Sequence, residues 1–133
     1  MRKGHLSEMV KSATKFGSCI TVLVEEMLSS KVGYIVASLN MVTGNGLEQS
    51  LVNITSLGLE GNHLCRLMTK HGAVSLLVKL LSQDGSGVRA QTLRALATLC
   101  SVLEAIRQLE EVRGVEVIAR LLGKMSEIFD FTQ

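Results

Sequence analysis

Residues 62–101 read NHLCRLMTKHGAVSLLVKLLSQDGSGVRAQTLRALATLCS and contain three apolar stripes separated by two glycine breaks. Apolar side chains three and four residues apart share one face of an α-helix. The first stripe ends at Gly72, and the second ends at the turn formed by residues 85–87. The members of the three stripes are Leu64, Leu67 and Met68; Val74, Leu77, Val78 and Leu81; and Leu93, Leu96, Ala97 and Cys100. The stretch therefore predicts a short, a medium and a longer helix, joined tightly as one unit of an α-solenoid.

The unit recurs partially further along the chain. Aligning Gly72 with Gly114, 42 residues later, places Leu64 and Leu67 over Ile106 and Leu109. A slip of one residue then aligns residues 79–81 with residues 120–122 at a spacing of 41. Both spacings fall within the period of about 40–47 residues that is typical of armadillo and HEAT repeats. We therefore predict an all-α, armadillo-like α-solenoid with about one full repeat plus a partial one, preceded by N-terminal helices.

The composition agrees with an all-helical domain. The chain has 133 residues, of which 47% are hydrophobic and only 3% aromatic, so the predicted core is aliphatic. There is no proline, the strongest helix breaker, and therefore the 12 glycines must end the helices. We predict an N-terminal helical region over residues 1–46, repeats over 47–123 and a tail over 124–133. Within the repeats, the full unit covers 62–101 and the partial unit covers 104–122.

The N-terminal region has two helical patterns. Residues 5–15 predict one short helix that breaks near Gly17, and helical spacing then continues from Ser18 to Val42. A bend within residues 29–33 is an equally good interpretation, because Lys31 and Gly33 interrupt the apolar stripe. Residues 43–46, Thr-Gly-Asn-Gly, are predicted to end this region, and residues 47–59 form a further short helix.

The C-terminal end lacks the third helix that completes a repeat. We expect the second helix of the partial unit, residues 115–122, to leave its apolar side chains without a complete neighbour. The chain is therefore interpreted as a fragment, an isoform or a truncated gene product. Self-association through this C-terminal edge is a further expectation.

Charge and motifs disfavour several classes of function. The net charge of +2 disfavours a general nucleic-acid partner, and no stretch approaches the apolar length of a membrane span. The cysteines, Cys19, Cys65 and Cys100, are interpreted as small buried side chains in a reducing compartment, and no metal or cofactor motif is present. Cys65 with His63 or His71 is the only nucleophile–base combination worth testing; His63 falls on another helix face and His71 at a helix end, which favours a structural cysteine. We predict a non-enzymatic, cytoplasmic protein without a cofactor.

A concave groove is the candidate functional surface. In a solenoid of this type the third helices line the concave side, which binds extended peptides. Peptide-binding armadillo repeats carry a tryptophan and an asparagine where this chain has Arg94 and Thr98. Arg94 offers positive charge to an acidic ligand, whereas a threonine hydroxyl cannot replace the two-sided hydrogen bonding of an asparagine amide. The predicted groove residues are Arg89, Gln91, Arg94, Thr98 and Ser101.

Three motifs carry a narrower resemblance over residues 56–122. They are the LCRxxxKxG element from Leu64 to Gly72, the helix from Leu93 to Thr98, and the QLExVxGV-like run from Gln108 to Val115. In these motifs the chain resembles the first armadillo repeats of Inscuteable proteins. Arg94 and Thr98 fit the Inscuteable pattern where they depart from the general armadillo pattern.

The resemblance implies an adaptor in asymmetric cell division, acting at the apical cell cortex. Inscuteable proteins join an apical polarity scaffold of the Bazooka type to Partner of Inscuteable, which orients the spindle. The family's peptide for Partner of Inscuteable lies upstream of the repeats, so that contact requires a segment outside the matched region. The alternative hypothesis is an unrelated armadillo- or HEAT-type adaptor that binds acidic peptides in its groove.

Overall fold

The computed structural model describes residues 2–41, 44–83 and 88–132, with side-chain detail from residue 6 to residue 123 outside the gaps. The described residues form helices and no strand. The helices are α1 Arg2–Met41, α2 Asn45–Leu59, α3 Asn62–Lys70, α4 Ala73–Ser82, α5 Arg89–Leu99, α6 Leu103–Glu111 and α7 Gly114–Thr132. The predicted turn at residues 85–87 lies outside the described residues.

Equivalent helices lie side by side along the chain. α3 packs beside α6, α4 beside α7, and α2 beside α5. Because α2 precedes α3 as α5 precedes α6, α2 occupies the place of the third helix of a preceding unit. Stacking of each unit on its neighbour is the defining feature of a solenoid. The prediction of an all-α, solenoid-like fold is therefore confirmed.

The helix bounds correct the repeat alignment. α3 and α6 begin at residues 62 and 103, and α4 and α7 begin at residues 73 and 114, so both pairs differ by 41. The residue equivalent to Gly72 is thus Arg113, and both have positive φ angles, 86° and 56°. The predicted alignment of Gly72 with Gly114 at 42 residues is wrong, and no slip is needed. The sequence alignment paired the two glycines because glycine adopts the left-handed conformation most easily. In the second repeat, however, Arg113 has this conformation.

The chain divides into two compact units, Met1–Lys31 and Val32–Gln133. In the first unit, every described side chain from residue 6 to residue 27 is exposed. The second unit contains the buried core, which is aliphatic as predicted and includes Val36, Ile54, Met68, Leu77 and Leu99. The domain boundary at residue 46 stays a prediction.

Two of the three predicted seams are shifted by one residue. On α3 the buried residues are Cys65, Met68 and Thr69, while Leu64 and Leu67 are half-buried beside them. On α5 the buried residues are Thr92, Ala95, Leu96 and Leu99, and Ala97 is exposed. The predicted seam on α4 is confirmed, with Ala73 and Leu80 buried in addition.

The helices at the two ends are longer than predicted. α1 is continuous through Gly17, so the predicted break there is wrong, as is a bend within residues 29–33 that would separate two helices. α2 confirms the predicted short helix before the first full unit. α7 continues to Thr132, beyond the predicted end at Leu122, because nothing between these residues forces the backbone out of a helix and Gly123 alone does not end it.

The side chain of Gln108 on α6 joins the end of α3 to the start of α4. Its Nε2 donates to the carbonyl of Thr69 at 3.0 Å, and its Oε1 accepts from the backbone N–H of Ser75 at 3.4 Å. The Ser75 N–H lies in the first turn of α4, where a helix leaves its backbone donors without internal partners. One amide therefore satisfies groups on both sides of the Gly72 turn.

We expect Gln108→Leu to lower the free energy of unfolding by about 1–3 kcal/mol, because it leaves a part-buried donor and a part-buried acceptor without this partner. Chemical denaturation measures the change. Arg107→Ala, on the exposed side of the same helix, is the matched control and should change stability by less than about 0.5 kcal/mol. Equal effects of the two substitutions would contradict the bridging role of Gln108.

Candidate protein-binding surface on α2 and α5

Four of the predicted groove residues lie on α5, in three sectors of the helix, and Ser101 follows the end of the helix at Leu99. Arg94 lies on an exposed stripe of α5 that also contains the small residues Ala90 and Ala97, and Ser101 is exposed just beyond the helix. Gln91 and Thr98 are half-buried at the edge of this stripe. Arg89 is half-buried about 140° around the helix from Arg94, at 100° per residue, and so lies in another sector. The structure thus brings Gln91, Arg94 and Thr98 onto one side of α5, with Ser101 hydrogen-bonded to the Thr98 carbonyl just beyond the helix.

A parallel stripe on α2 completes the surface. Glu48, Val52, Thr55 and Leu59 follow one another at helical spacing, and Val52 and Leu59 are 44% and 75% exposed. Gln91 Nε2 donates to Glu48 Oε1 at 3.0 Å, which links the two stripes across 43 positions of the chain. We call these two stripes together the α2–α5 face. Sequence reasoning missed the α2 residues, because helical and alternating spacing overlap in this segment.

Thr98 lies where α2 and α5 approach closely, and its polar groups are hydrogen-bonded within the chain. Its hydroxyl donates to the Arg94 carbonyl at 2.9 Å, and its own carbonyl accepts from Ser101 Oγ at 2.8 Å. A Cβ added at Gly58 of α2 would lie 2.7 Å from Thr98 Cγ2, which shows how closely the helices approach. The predicted role of Thr98 in ligand binding stays a prediction, and its hydrogen-bonding groups are already engaged within the chain.

Cys65 fills the junction between α2, α3 and α5. Its thiol lies 3.3 Å from the Gly58 carbonyl and 3.5 Å from the Thr98 carbonyl, and it can donate to either oxygen. Burial raises the pKa of this thiol, although the neighbouring Arg66 and a backbone hydrogen bond act in the opposite direction. A raised pKa lowers the fraction of the thiol that is ionised at neutral pH, and the thiolate is the nucleophilic form. The position therefore suits a structural cysteine.

The other cysteines differ in environment. Cys100 is partly buried, and burial raises the pKa of its thiol. Cys19 is exposed, so the prediction that all three cysteines are buried is wrong for Cys19. The error arose because Cys19 borders the apolar run from Ile20 to Val24, whose residues the structure leaves exposed.

We expect the folded protein to lose stability as the pH rises above about 8. The folded-state pKa of Cys65 is raised, so this thiol's stabilising contribution is present below its unfolded pKa and is lost as the pH passes through the folded value. Each such thiol lowers the free energy of unfolding by at most about 1.4 kcal/mol per pH unit. Urea denaturation from pH 7 to pH 10 measures the slope.

Two cysteine variants show how much of the pH dependence comes from Cys65. Cys65→Ala should show a shallower decline than the wild type, whereas Cys19→Ser should follow the wild type because Cys19 is exposed. An identical pH dependence in all three proteins would contradict the assigned effect of burial on Cys65.

A second polar surface lies between α3 and α6. A polar groove between α3 and α6 contains Lys70, Arg107 and Glu111, and an ion pair of 3.4 Å joins Arg66 Nε to Glu104 Oε2. Both members of that pair are about half exposed, so it contributes little to stability. Within the described residues, no group of three or more His, Cys, Asp or Glu side chains is placed to hold a metal ion. Nor does any helix there have the length and apolar character to cross a membrane.

The C-terminal edge has the mixed exposure that the predicted self-association would require. Val117, Ile118 and Leu121 are half-buried against the core, whereas Val115 and Leu122 are 54% and 60% exposed. Self-association through this edge stays a prediction.

Comparison with known proteins identifies the family. The family described as Protein inscuteable C-terminal matches residues 2–128. The human protein inscuteable homolog is 37% identical over 108 residues, which are 80% of this chain and 18% of that protein. The mouse homolog is 40% identical over 76 residues, which are 56% of this chain and 13% of that protein. The chain thus spans less than a fifth of the length of these relatives.

A solved structure supports the fold independently. The crystal structure of an engineered protein from the Northeast Structural Genomics Consortium has a TM-score of 0.64 and 28% sequence identity to this chain. The match covers 69% of this chain and 38% of the engineered protein. The family match extends over nearly all of the helices described above, and it excludes the alternative of an unrelated helical-repeat adaptor. The chain belongs to the Inscuteable family.

Proposed function

We propose that this chain is a non-enzymatic interaction segment of an Inscuteable-type adaptor in asymmetric cell division. In this role it contributes to linking apical polarity proteins to the machinery that orients the spindle, at the apical cortex. Its direct partner is a polarity scaffold of the Bazooka type, and contact with Partner of Inscuteable requires a separate upstream segment. The observation that supports the proposal best is the family match over residues 2–128.

The α2–α5 face has the properties of a surface for an extended protein segment. Ala90, Ala97 and Ser101 leave room for a partner backbone to approach α5, while Arg94 supplies a charged side chain among them. Arginine is enriched at the energetic centres of protein interfaces, because it combines apolar contact with several hydrogen-bond donors. An armadillo-like arrangement of third helices would direct α2 and α5 to the same concave side.

The charged and apolar residues of the α2–α5 face indicate which kind of partner segment would bind there. Glu48 is engaged by Gln91, so one part of the face carries a negative charge that is already hydrogen-bonded. Arg94 lies three residues further along α5, and the exposed Val52 and Leu59 lie on the neighbouring helix. A partner segment with an acidic residue opposite Arg94 and apolar residues opposite α2 would complement this arrangement.

The test measures binding of a Bazooka-type polarity scaffold to the full chain by isothermal titration calorimetry. We expect Arg94→Glu to weaken binding at least about tenfold, because it replaces attraction to an acidic contact by repulsion. Ala97→Arg should weaken binding similarly by filling the space beside Arg94. Circular dichroism must show unchanged helix content in both variants.

Arg107→Glu is the control for that experiment. It makes the same change of charge on an exposed residue of α6, away from the α2–α5 face. If Arg107→Glu weakens binding as much as Arg94→Glu, the effect is one of overall charge. If Arg94→Glu and Ala97→Arg both bind like the wild type, the partner uses another surface.

A further inference from the structure

The first unit presents a regular, exposed apolar stripe on α1. Between residues 6 and 27 of α1, apolar residues recur with alternating spacings of three and four, the pattern of a coiled-coil heptad. Six large side chains on this stripe are between 46% and 72% exposed. We call the stripe the heptad seam, and it consists of Leu6, Met9, Ala13, Phe16, Ile20, Leu23 and Met27.

The heptad seam lies within the first unit and extends about 33 Å along α1, at 1.5 Å per residue. Every side chain on it is exposed.

The residues on the opposite side of the helix from the seam are mainly polar, as in a coiled coil. With Leu6 at position a of the heptad, the outward positions b, c and f hold mainly polar residues, among them Ser7, Lys11, Thr14, Lys15 and Ser18. Val10 and Val24 fall at position e and widen the apolar seam on one side. Isolated helices depend on the packing of such a face for most of their stability.

Charge selects the occupant of the seam. From residue 6 to residue 31, the part of α1 that carries the seam has three lysines and three glutamates, while Arg2 and Lys3 precede it. The positions of the charges in the heptad, and not their sum, therefore indicate the kind of partner. Glu26 falls at position g and Lys31 at position e of the next heptad. In a parallel pair of identical helices, position g of one copy faces position e of the other, five residues further on. A second copy of this chain thus complements the seam both in apolar spacing and in charge.

We propose that two copies of this chain associate through the heptad seam as a parallel two-stranded coiled coil. Each Glu26 carboxylate then lies beside Lys31 of the other copy, twice by symmetry. The small side chain of Ala13 at position a leaves space beside the bulky Phe16 at the following position d.

Sedimentation velocity on the full chain at about 50 µM tests the proposal, since association depends on concentration. The wild type should sediment as a dimer. The double variant Ile20→Lys and Leu23→Lys should sediment as a monomer, with the dissociation constant raised at least about 100-fold. The matched control, Ser18→Lys and Thr21→Lys, adds the same charge on the outer face and should remain dimeric.

Charge exchange and cross-linking test the parallel orientation. Glu26→Lys and Lys31→Glu should each weaken the dimer, and the combined variant should restore it. In a Cys19→Ser background, Ala13→Cys should form an intermolecular disulfide under oxidation, because position a meets position a of the other copy. Thr14→Cys, on the outer face, should not.

Each contrary outcome overturns the proposal. A wild type that is monomeric at 50 µM, or that assembles into a larger oligomer, excludes the two-stranded coiled coil. If the seam and control variants are equally dimeric, the interface lies elsewhere, for example at the C-terminal edge. If a monomeric chain instead binds vesicles of phosphatidylcholine and phosphatidylserine through the seam, its occupant is lipid. A charge exchange that fails to restore the dimer, or disulfide formation by Thr14→Cys instead of Ala13→Cys, excludes the parallel orientation.

Discussion

Leu77→Ala should lower the free energy of unfolding by about 2–5 kcal/mol. Leu77 is fully buried on α4, the helix that packs beside α5, α6 and α7. Truncation removes three carbon atoms from the buried core, and the surrounding helices can relax only partially into the cavity. Because a domain of this size has only about 5–15 kcal/mol of total stability, the loss is a large fraction of it.

The other leucines of the predicted core should show a graded response. Leu81 and Leu96 are also buried and should approach the effect of Leu77. Leu64, Leu67 and Leu93 are half-buried beside the core, so their truncation should cost less. Leu103→Ala is the control because Leu103 is 55% exposed, and we expect a change within about 0.5 kcal/mol. Urea denaturation measures these changes, provided that the dependence of the unfolding free energy on urea concentration is the same for all variants. A surface-like response at Leu77 would refute the packing of the three-helix unit.

Glycine positions predicted most of the helix ends. One exception, Gly17 inside α1, has a physical reason. Gly72 separates α3 from α4 because its backbone has the left-handed φ of 86°. Gly17 has ordinary helical surroundings, and nothing within 4 Å of its Cβ position constrains it. A glycine inside a helix costs only about 1 kcal/mol, which the helix of 40 residues tolerates. Glycine identity alone therefore does not separate a helix end from a helix interior.

The spacing of apolar residues alone could not determine which face of α5 is buried. Two seams with the same spacing overlap there, one from Thr92 to Leu99 and one from Leu93 to Cys100. The structure buries the first, and Thr92 is accommodated because its hydroxyl donates to the Val88 carbonyl at 2.8 Å. A local hydrogen bond makes a threonine compatible with the core, so hydropathy ranks the two seams in the wrong order.

The sequence suggested candidate surface residues on one helix only. Arg94 and Ser101 were predicted from their positions off the apolar seam; both are exposed, Arg94 on α5 and Ser101 just beyond its end, and their role in binding stays a prediction. The α2 half depends on contacts between residues about 40 positions apart, such as Gln91 with Glu48. Such pairs are set by how closely two helices approach, and a single sequence does not encode that distance as a pattern.

The approach of α2 to α5 leads to the last prediction, the effect of Gly58→Ala. Replacing glycine by alanine inside a helix normally stabilises it by up to about 1 kcal/mol. At Gly58 the new methyl group would lie 2.7 Å from Thr98 Cγ2 and 3.4 Å from both Cys65 Sγ and Met68 Cε. The first distance is far below van der Waals contact, and so either the Thr98 side chain must leave its position or α2 and α5 must separate. We therefore expect a net destabilisation of about 1–3 kcal/mol in chemical denaturation.

A double-mutant cycle with Thr98→Ser identifies the cause. Serine lacks Cγ2 but keeps the hydroxyl that donates to the Arg94 carbonyl. Alone, Thr98→Ser should destabilise slightly through the lost methyl group, whereas combined with Gly58→Ala it should recover most of the stability. The coupling energy should therefore be favourable by at least about 1 kcal/mol. Gly17→Ala is the matched control, because nothing lies within 4 Å of its Cβ position, and it should be neutral or stabilising. If Gly58→Ala behaves like Gly17→Ala, or if the two changes at the α2–α5 contact are simply additive, Gly58 does not set the spacing of the α2–α5 face.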